Sequence, residues 1–182
     1  MQDNFFIIAI TRPDFFDGEA ERINQILSSG QARFLHLRKP EAAAWQIEKL
    51  LRQINPVFYD RVKLHDHFEL LEKYDLGGIN LNSRNCEIHP LAKSVSKSIH
   101  SLSDITSQEK LDYLLISPVF NSISKVGYKA AYDINELSAY IRGKNVVALG
   151  GVTPEKFNFL QSMGFVGAAL LGYFFPTYMQ TD

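Results

Sequence analysis

The residues of this chain that could do chemistry follow a series of eight short apolar segments and are found after the second to the eighth of them. His36 and Arg38 end the second segment, and His100 follows the fifth. Imidazole can accept and return a proton near neutral pH, and guanidinium binds carboxylate and phosphate groups through paired N–H donors. Comparable positions are held by His65, Asp66, His67, Asn80, Asn82, Ser98, Ser117, Gly150, Gly151 and Gly172. These residue types predict acid–base chemistry beside an anion-binding site.

The glycines among these residues indicate where an anion would bind. Gly150 and Gly151 follow the seventh apolar segment, and Gly172 follows the eighth. Because glycine has no Cβ, its backbone N–H can approach an anion closely. Taken alone, the Gly-Gly pair is also typical of a tight turn. Beside the eighth segment, it predicts a phosphate site of the kind that barrels form after their last two strands.

The elements that must position these residues are eight short, nearly continuous apolar segments that alternate with amphipathic stretches. Continuous apolar segments are typical of strands buried on both faces. The predicted strands are residues 5–10, 33–37, 62–64, 78–81, 94–98, 113–117, 146–149 and 166–171. The stretches between them have helical spacing, as in Trp45, Ile47, Leu50 and Leu51, but those after the fourth and sixth strands are weak as helices.

Strictly alternating strands and helices predict a parallel sheet with right-handed crossovers. Eight strands favour one (β/α)₈ TIM barrel, a single domain over residues 1–182, and an open flavodoxin-like sheet is the alternative. In a barrel, His36, His65, His67 and His100, four of the five histidines, fall on the same rim. A histidine at a strand end is also typical of a hydrogen-bonded packing residue, and Arg38 of an ion-pair partner.

Composition and charge exclude several classes of function. The 182 residues are 46% hydrophobic and 21% charged, with a net charge of −1, so nucleic acid is not an expected partner. No apolar run reaches the roughly 20 residues that span a bilayer, and the amino terminus lacks the features of a signal peptide. The single cysteine, Cys86, has no internal partner for a disulfide. We expect a cytoplasmic protein with a small-molecule substrate, and its oligomeric state stays open.

From Ile8 to about Phe174, the order of motifs resembles thiamine phosphate synthases and their TenI-type relatives, the thiazole tautomerases. The motifs are His36-Leu-Arg-Lys39, Leu64-His-Asp-His67, Gly78-Ile-Asn-Leu81, Ser98-Ile-His-Ser101, Asp112-Tyr-Leu-Leu-Ile-Ser-Pro-Val-Phe120, Ser122-Ile-Ser-Lys125, Ala148-Leu-Gly-Gly-Val-Thr153 and Gly164-Phe-Val-Gly-Ala168. The resemblance implies a TIM barrel that acts on a phosphorylated thiazole.

The chain departs from the synthase pattern at the positions that handle diphosphate. Synthases join a pyrimidine methyl diphosphate to a thiazole phosphate with the help of Mg²⁺, and their second strand typically ends Gln-x-Arg-x-Lys. Here Arg38 is kept, but Pro40 stands at the lysine position, and Lys39 comes one residue early. Of the two Mg²⁺-binding aspartates, Asp66 is kept after the third strand. The second falls where this chain has Asn82-Ser-Arg-Asn85.

These departures favour a TenI-type tautomerase, whose Ser-x-His-Ser histidine moves a proton during aromatisation of thiazole carboxylate phosphate. The resemblance implies His100 as general acid and base and Arg38 as the second catalytic residue. The substrate and its phosphate would be bound by Ser122, Ser124, Lys125, Gly150, Gly151, Gly172, His36 and Ser98. This reaction requires no cofactor.

Three alternatives remain open at this point. The first is a divergent thiamine-phosphate synthase that holds Mg²⁺ on Asp66. The second is a non-catalytic protein that binds thiamine or its precursors. The third is a metal hydrolase that uses His65 and His67 as zinc ligands, since His-x-His at a strand end can chelate Zn²⁺.

Overall fold

Eight parallel strands form a closed barrel in a computed structural model that describes residues 5–106, 110–121 and 132–176. Each strand pairs with the next along the chain, and the first pairs with the eighth. The strands are β1 (Phe6–Ile10), β2 (Phe34–Leu37), β3 (Val62–Leu64), β4 (Gly78–Leu81), β5 (Val95–Ile99), β6 (Tyr113–Ile116), β7 (Val146–Leu149) and β8 (Gly167–Leu170). The predicted barrel is confirmed, and each predicted strand end lies within one residue of the observed one.

The helices outside the barrel are short. They are α1 (Glu19–Ser28), α2 (Ala44–Leu51), α3 (Ile134–Ile141) and α4 (Phe157–Met163), with 3₁₀ helices at Pro56–Arg61, Phe68–Glu72, Leu102–Thr106 and Pro154–Lys156. The stretch that follows β3 is therefore a 3₁₀ helix. Residues 82–94, which follow β4, contain no helix. The last helical segment begins after Thr153 with Pro154 in its first turn and ends at Gly164 in the left-handed region.

The apolar core has two layers, one between strands and helices and one inside the barrel. Trp45 was predicted to share an apolar face with Ile47, but it is 66% exposed. Residues two positions apart in an α-helix are separated by about 200° around its axis. Trp45 therefore faces away from the strands when Ile47 packs on them. Tyr140 and Phe159 are exposed as well, because helices this short bury only a narrow stripe.

Strand alternation sends several polar side chains into the barrel. His36, Lys63 and Asn80 lie on three adjacent strands and are buried, whereas β1, β7 and β8 supply apolar residues. The interior is therefore polar on the side of β2 to β6. No helix among the described residues is long and apolar enough to cross a membrane.

Candidate active site at the carboxyl rim of the barrel

The rim consists of the carboxyl ends of the eight strands and the residues that directly follow them. Arg38 follows β2, Asp66 follows β3 and His100 follows β5, while Gly150 and Gly172 come after β7 and β8. Parallel strands in a barrel all end on the same side, so these residues belong to one face of the molecule. The strand ends lie where the sequence predicted them, and the roles of the residues that follow them stay predictions.

His100 is exposed on the rim, and one of its ring nitrogens is held by Ser117. Its Nδ1 lies 3.1 Å from the Ser117 carbonyl oxygen and 3.3 Å from the Ser117 hydroxyl oxygen. A carbonyl oxygen only accepts hydrogen bonds, so Nδ1 carries the hydrogen in the neutral ring and Nε2 carries the lone pair. His100 therefore presents a proton acceptor at the rim, as general acid–base chemistry requires.

Arg38 is half-buried, and its backbone is fixed by Thr11. The Arg38 N–H donates to Thr11 Oγ1 at 2.9 Å, and the Thr11 hydroxyl donates to the Arg38 carbonyl oxygen at 3.3 Å. Its guanidinium forms no hydrogen bond or ion pair with any other residue that the structure describes. Burial and the nearby Arg84 lower the pKa of Arg38, while Asp66 opposes this effect. An unpaired guanidinium next to a second one is typical of an anion site.

Asp66 is buried beside Arg38, and its carboxylate is already bonded. Arg84 donates to Asp66 Oδ1 from Nη2 at 2.9 Å and from Nε at 3.1 Å. Asn85 Nδ2 donates to the same oxygen at 2.9 Å. Asn82 fixes this loop, because its Oδ1 accepts from the Arg84 backbone N–H and its Nδ2 donates to the His65 carbonyl oxygen at 2.7 Å.

This arrangement differs from a magnesium site. Mg²⁺ binds oxygen lone pairs, usually from carboxylates, in near-octahedral geometry. Here a guanidinium and an amide N–H occupy the one carboxylate, and Asn85 turns its NH₂ group towards it. Among the residues of 5–106, 110–121 and 132–176, no group of three or more His, Cys, Asp or Glu is placed to hold a metal ion. The residues around Asp66 do not fit the metal ion that the resemblance implies for a synthase.

Gly150 and Gly151 form a turn that only glycine fits. Their φ angles are 92° and 63°, both in the left-handed region. A Cβ on Gly151 would lie 2.2 Å from the Asn121 carbonyl oxygen, and one on Gly150 would lie 2.9 Å from Pro118 Cα. Neither N–H donates to another described residue. The two N–H groups are thus without a partner among the described residues, and Gly172 is exposed after β8; phosphate binding here stays a prediction.

Two of the histidines predicted for the rim lie inside the barrel instead. His36 is fully buried, with Nδ1 2.8 Å from His65 Nε2 and Nε2 2.7 Å from the Tyr113 hydroxyl. Residues two apart on a strand point the same way at different depths, so Arg38 reaches the rim while His36 lies one layer below. His36 therefore has no exposed surface through which to contact a substrate.

Burial keeps both interior histidines neutral. It lowers the pKa of His65 to about 3, with a further contribution from Arg38 and Arg84. Burial also places the pKa of His36 well below its ordinary value, and electrostatic interactions with His65 and Lys63 lower it further. Neither imidazole carries a charge at neutral pH, so their role is in hydrogen bonding.

The interior network consists of His36, His65, Asn80, Ser96 and Tyr113, which are joined by a chain of hydrogen bonds. Asn80 Nδ2 lies 3.4 Å from His65 Nδ1, and the Ser96 hydroxyl donates to Asn80 Oδ1 at 2.9 Å. Ser98, predicted to bind substrate, accepts from Asn80 at 2.9 Å and is half-buried, so it joins the network to the rim.

Lys63 is the exception inside the barrel. Its Nζ is buried and has no hydrogen-bond partner, and it lies 4.3 Å from the centre of the Tyr113 ring. Burial lowers the pKa of Lys63 to about 8, and Asp112 opposes this effect. The sequence analysis did not single out this residue, because a lysine in a three-residue strand gives no signal of which face it occupies.

The remaining predicted residues either have other partners or lie outside the described residues. His67 contacts Glu69 through Nδ1 at 2.9 Å and the Ala42 carbonyl oxygen through Nε2 at 2.7 Å, so it cannot join the inward-facing His65 as a zinc ligand. The metal-hydrolase alternative loses its basis. Lys39 is buried, and its Nζ donates to Glu19 Oε1 and to the Asp14 carbonyl oxygen at 2.6 Å each, so it is already paired within the protein. Residues Ser122, Ser124 and Lys125 lie outside the described residues.

Arg84 is a residue near the rim that was not among the predicted site residues. The segment after β4 differs from the synthase pattern by a missing aspartate, and an arginine stands next to the position where the aspartate was expected. A cation that replaces a metal ligand is a signal in its own right. The structure shows why, since Arg84 pairs with the carboxylate that is kept.

The fold and the rim define a (β/α)₈ barrel protein with arginine side chains on one side of the rim and a glycine turn on the other. The family model for thiamine monophosphate synthase matches residues 7–173, so the chain belongs to that family. The resemblance seen in the sequence is thereby confirmed.

Individual relatives agree with this family. The chain is 23% identical to a thiamine-phosphate synthase of Bacteroides thetaiotaomicron, over 79% of this chain and 77% of the relative. It is 21% identical to that of Limosilactobacillus reuteri, over 86% and 80%. Among solved structures, a thiamine phosphate pyrophosphorylase from Bacteroides thetaiotaomicron is 33% identical, with a TM-score of 0.80 over 98% of this chain and 90% of that one.

Proposed function

We propose that this protein forms thiamine phosphate from a pyrimidine methyl diphosphate and a thiazole phosphate, the reaction for which its relatives are named. The observation that supports this proposal is the presence on one rim of two sets of donors, each suited to binding an anion. Arg38 and Arg84 form the first, and the N–H groups of Gly150 and Gly151 form the second. A reaction that joins two phosphorylated molecules needs both. The names of the relatives favour this reaction, given above as the first alternative, over the tautomerase.

The arginine side of the rim suits the leaving group. In the proposed step, a bond forms between the thiazole nitrogen and the pyrimidine methylene carbon, and the carbon–oxygen bond to the diphosphate breaks. The departing pyrophosphate takes the electron pair, so negative charge builds on its oxygens. Guanidinium groups placed beforehand at that position stabilise the charge as it develops. The thiazole phosphate would then bind at Gly150 and Gly151, with Ser122, Ser124 and Lys125 proposed as further contacts.

The test is to supply both substrates and measure thiamine phosphate and pyrophosphate together. We expect both products in equal amounts, and we expect Arg38→Gln to lower the rate by about 10²-fold, as loss of one charge-stabilising donor does. The matched control is Arg33→Gln, which removes an exposed arginine just before the opposite end of the same strand. No product from the unsubstituted protein would refute the proposal.

The tautomerase remains a second candidate because of His100. Its position on the rim, with Nδ1 held by Ser117 and Nε2 left to accept a proton, suits proton transfer on thiazole carboxylate phosphate. In this reaction the arginines would bind the carboxylate. We expect His100→Ala to slow tautomer conversion by about 10²- to 10⁴-fold if this is the activity. Affinity for phosphorylated thiazole without turnover in either assay would favour the non-catalytic binding protein.

A further inference from the structure

The described residues contain an unusual group of charges on the rim between β2 and β4. Asp66 is a buried carboxylate, Arg84 is bonded to it through two nitrogens, and Arg38 is half-buried with its guanidinium unpaired among the described residues. Ion pairs that serve only stability usually leave no excess charge. Here one negative and two positive formal charges leave one positive charge on a partly buried surface.

We propose that Arg84 takes the place of a divalent cation on this rim, so that Arg84 and Arg38 bind a diphosphate group without a metal ion. The identity of the ligand rests on the proposed function. The inference itself concerns the binding site, and it stands on the contacts of Asp66.

The contacts of Asp66 hold Arg84 in one orientation. Nε and Nη2 of Arg84 face the carboxylate, and Asn85 donates to the same carboxylate oxygen. Asn82 accepts from the Arg84 backbone N–H at 3.0 Å, which fixes the start of the side chain. A guanidinium held at both ends loses little conformational freedom when an anion binds.

The opposite edge of the same guanidinium remains available. Nη1 of Arg84 donates to no other residue that the structure describes, and the side chain is 43% exposed. It lines a cleft of about 750 Å³ together with Asp66, Asn85 and Pro40; Glu69 and Glu87 line the same cleft, and Arg38 lies outside its lining. Arg84 thus lies between a buried carboxylate and an open cleft, as a bridging cation does between a protein carboxylate and a phosphate oxygen.

The experiment measures binding of inorganic pyrophosphate by isothermal titration calorimetry, once with excess Mg²⁺ and once with a chelator. We expect the two dissociation constants to agree within about threefold, and we expect Arg84→Gln to weaken binding in chelator by about 10- to 100-fold, the usual worth of a charge-assisted hydrogen bond. The control is Arg52→Gln, which breaks an exposed pair with Glu48 on α2 and should leave binding unchanged.

A second variant tests the replacement directly. Arg84→Gln combined with Asn85→Asp places a second carboxylate beside Asp66 and removes the cation, so pyrophosphate binding should now require Mg²⁺. Thermal melts establish that each variant is folded. The proposal is overturned if pyrophosphate binds the unsubstituted protein only with Mg²⁺, if it binds under neither condition, or if Arg84→Gln binds it normally in chelator.

Binding of pyrophosphate requires no turnover, so the two proposals fail separately. Metal-independent binding without formation of thiamine phosphate would refute the proposed function and leave the role of Arg84 intact. Formation of thiamine phosphate together with Mg²⁺-dependent pyrophosphate binding would refute only the role of Arg84.

Discussion

The interior of the barrel and the rim above it use the same residue types in opposite ways. Inside, His36 and His65 are buried and neutral, and each ring nitrogen has a partner. On the rim, His100 is exposed with one nitrogen held, and Arg38 makes no ion pair with the described residues. Only one strand residue separates His36 from Arg38, so a few ångströms of depth decide whether a polar group stabilises the fold or is free to bind a ligand.

This difference shows that the role of a polar residue depends less on its type than on how many of its hydrogen-bonding groups lack a partner within the protein. A buried group without a partner loses its hydration without compensation, and therefore interior groups are paired. A binding site needs the reverse, namely groups that are oriented by the protein and still have free donors or acceptors. Substitutions and changes of pH should therefore affect stability through the interior network and ligand binding through the rim.

The largest expected effect is on the stability of the interior. His36→Ala should lower the free energy of unfolding by about 4 kcal/mol, because it leaves a cavity and removes a partner from both His65 and Tyr113. Denaturant unfolding monitored by circular dichroism measures this value. His100→Ala is the control and should change stability by less than about 0.5 kcal/mol. Equal losses in the two variants would break the distinction between interior and rim.

The second largest expected effect is a loss of folding stability at acidic pH. The pKa values of His36 and His65 lie well below 6.5 in the folded protein, so the unfolded chain binds protons that the barrel does not. Stability is therefore unaffected by these groups above about pH 7 and falls as the pH drops below about 6.5. Between pH 6.5 and pH 5 the two histidines should lower it by about 3 kcal/mol. His36→Gln should show about half of this slope, whereas a flat profile in the unsubstituted protein would contradict neutral histidines.

The next prediction concerns the rim and tests the glycine turn with the substitution Gly151→Ala. Its Cβ would lie 2.2 Å from a backbone oxygen at a φ of 63°, so the turn must move. We expect a loss of about 2 kcal/mol in stability from this strain, and a loss of inorganic phosphate binding measured by calorimetry. Gly143→Ala is the control, because Gly143 has a similar φ of 76° with open space around it. Phosphate binding that survives in the Gly151 variant would remove this turn from the anion site.

The smallest effect concerns the unpaired amine of Lys63. Its pKa is about 8 in the barrel against about 10.5 in the unfolded chain, so the unfolded chain holds the extra proton between these values. Stability should therefore rise with pH, by about 2 kcal/mol between about pH 7.5 and pH 9.5. Lys63→Met should abolish the rise and be more stable at pH 7.5. A rise of the same size in that variant would assign the effect to other groups.

The barrel was predictable because its signal is local. Each strand is a short apolar run between polar turns, and strand ends such as Leu64 and Leu81 are visible in the sequence. Depth is not local. His36 and Arg38 share a face, and the layer on which each lies depends on the tilt and register of the neighbouring strands, such as the pairing of His36 with Lys63. For the same reason, the sequence did not indicate Arg84, because its ion-pair partner Asp66 follows a different strand.

The chain of hydrogen bonds that runs from Ser96 through Asn80, His65 and His36 to Tyr113 has a direction. The Asn80 NH₂ group can only donate to His65 Nδ1, so the hydrogen of His65 is on Nε2 and points to His36 Nδ1. The hydrogen of His36 is then on Nε2 and points to the Tyr113 hydroxyl oxygen. The two imidazole tautomers are therefore not independent of each other. Asn80→Asp, which can only accept from His65, would reverse both of them together.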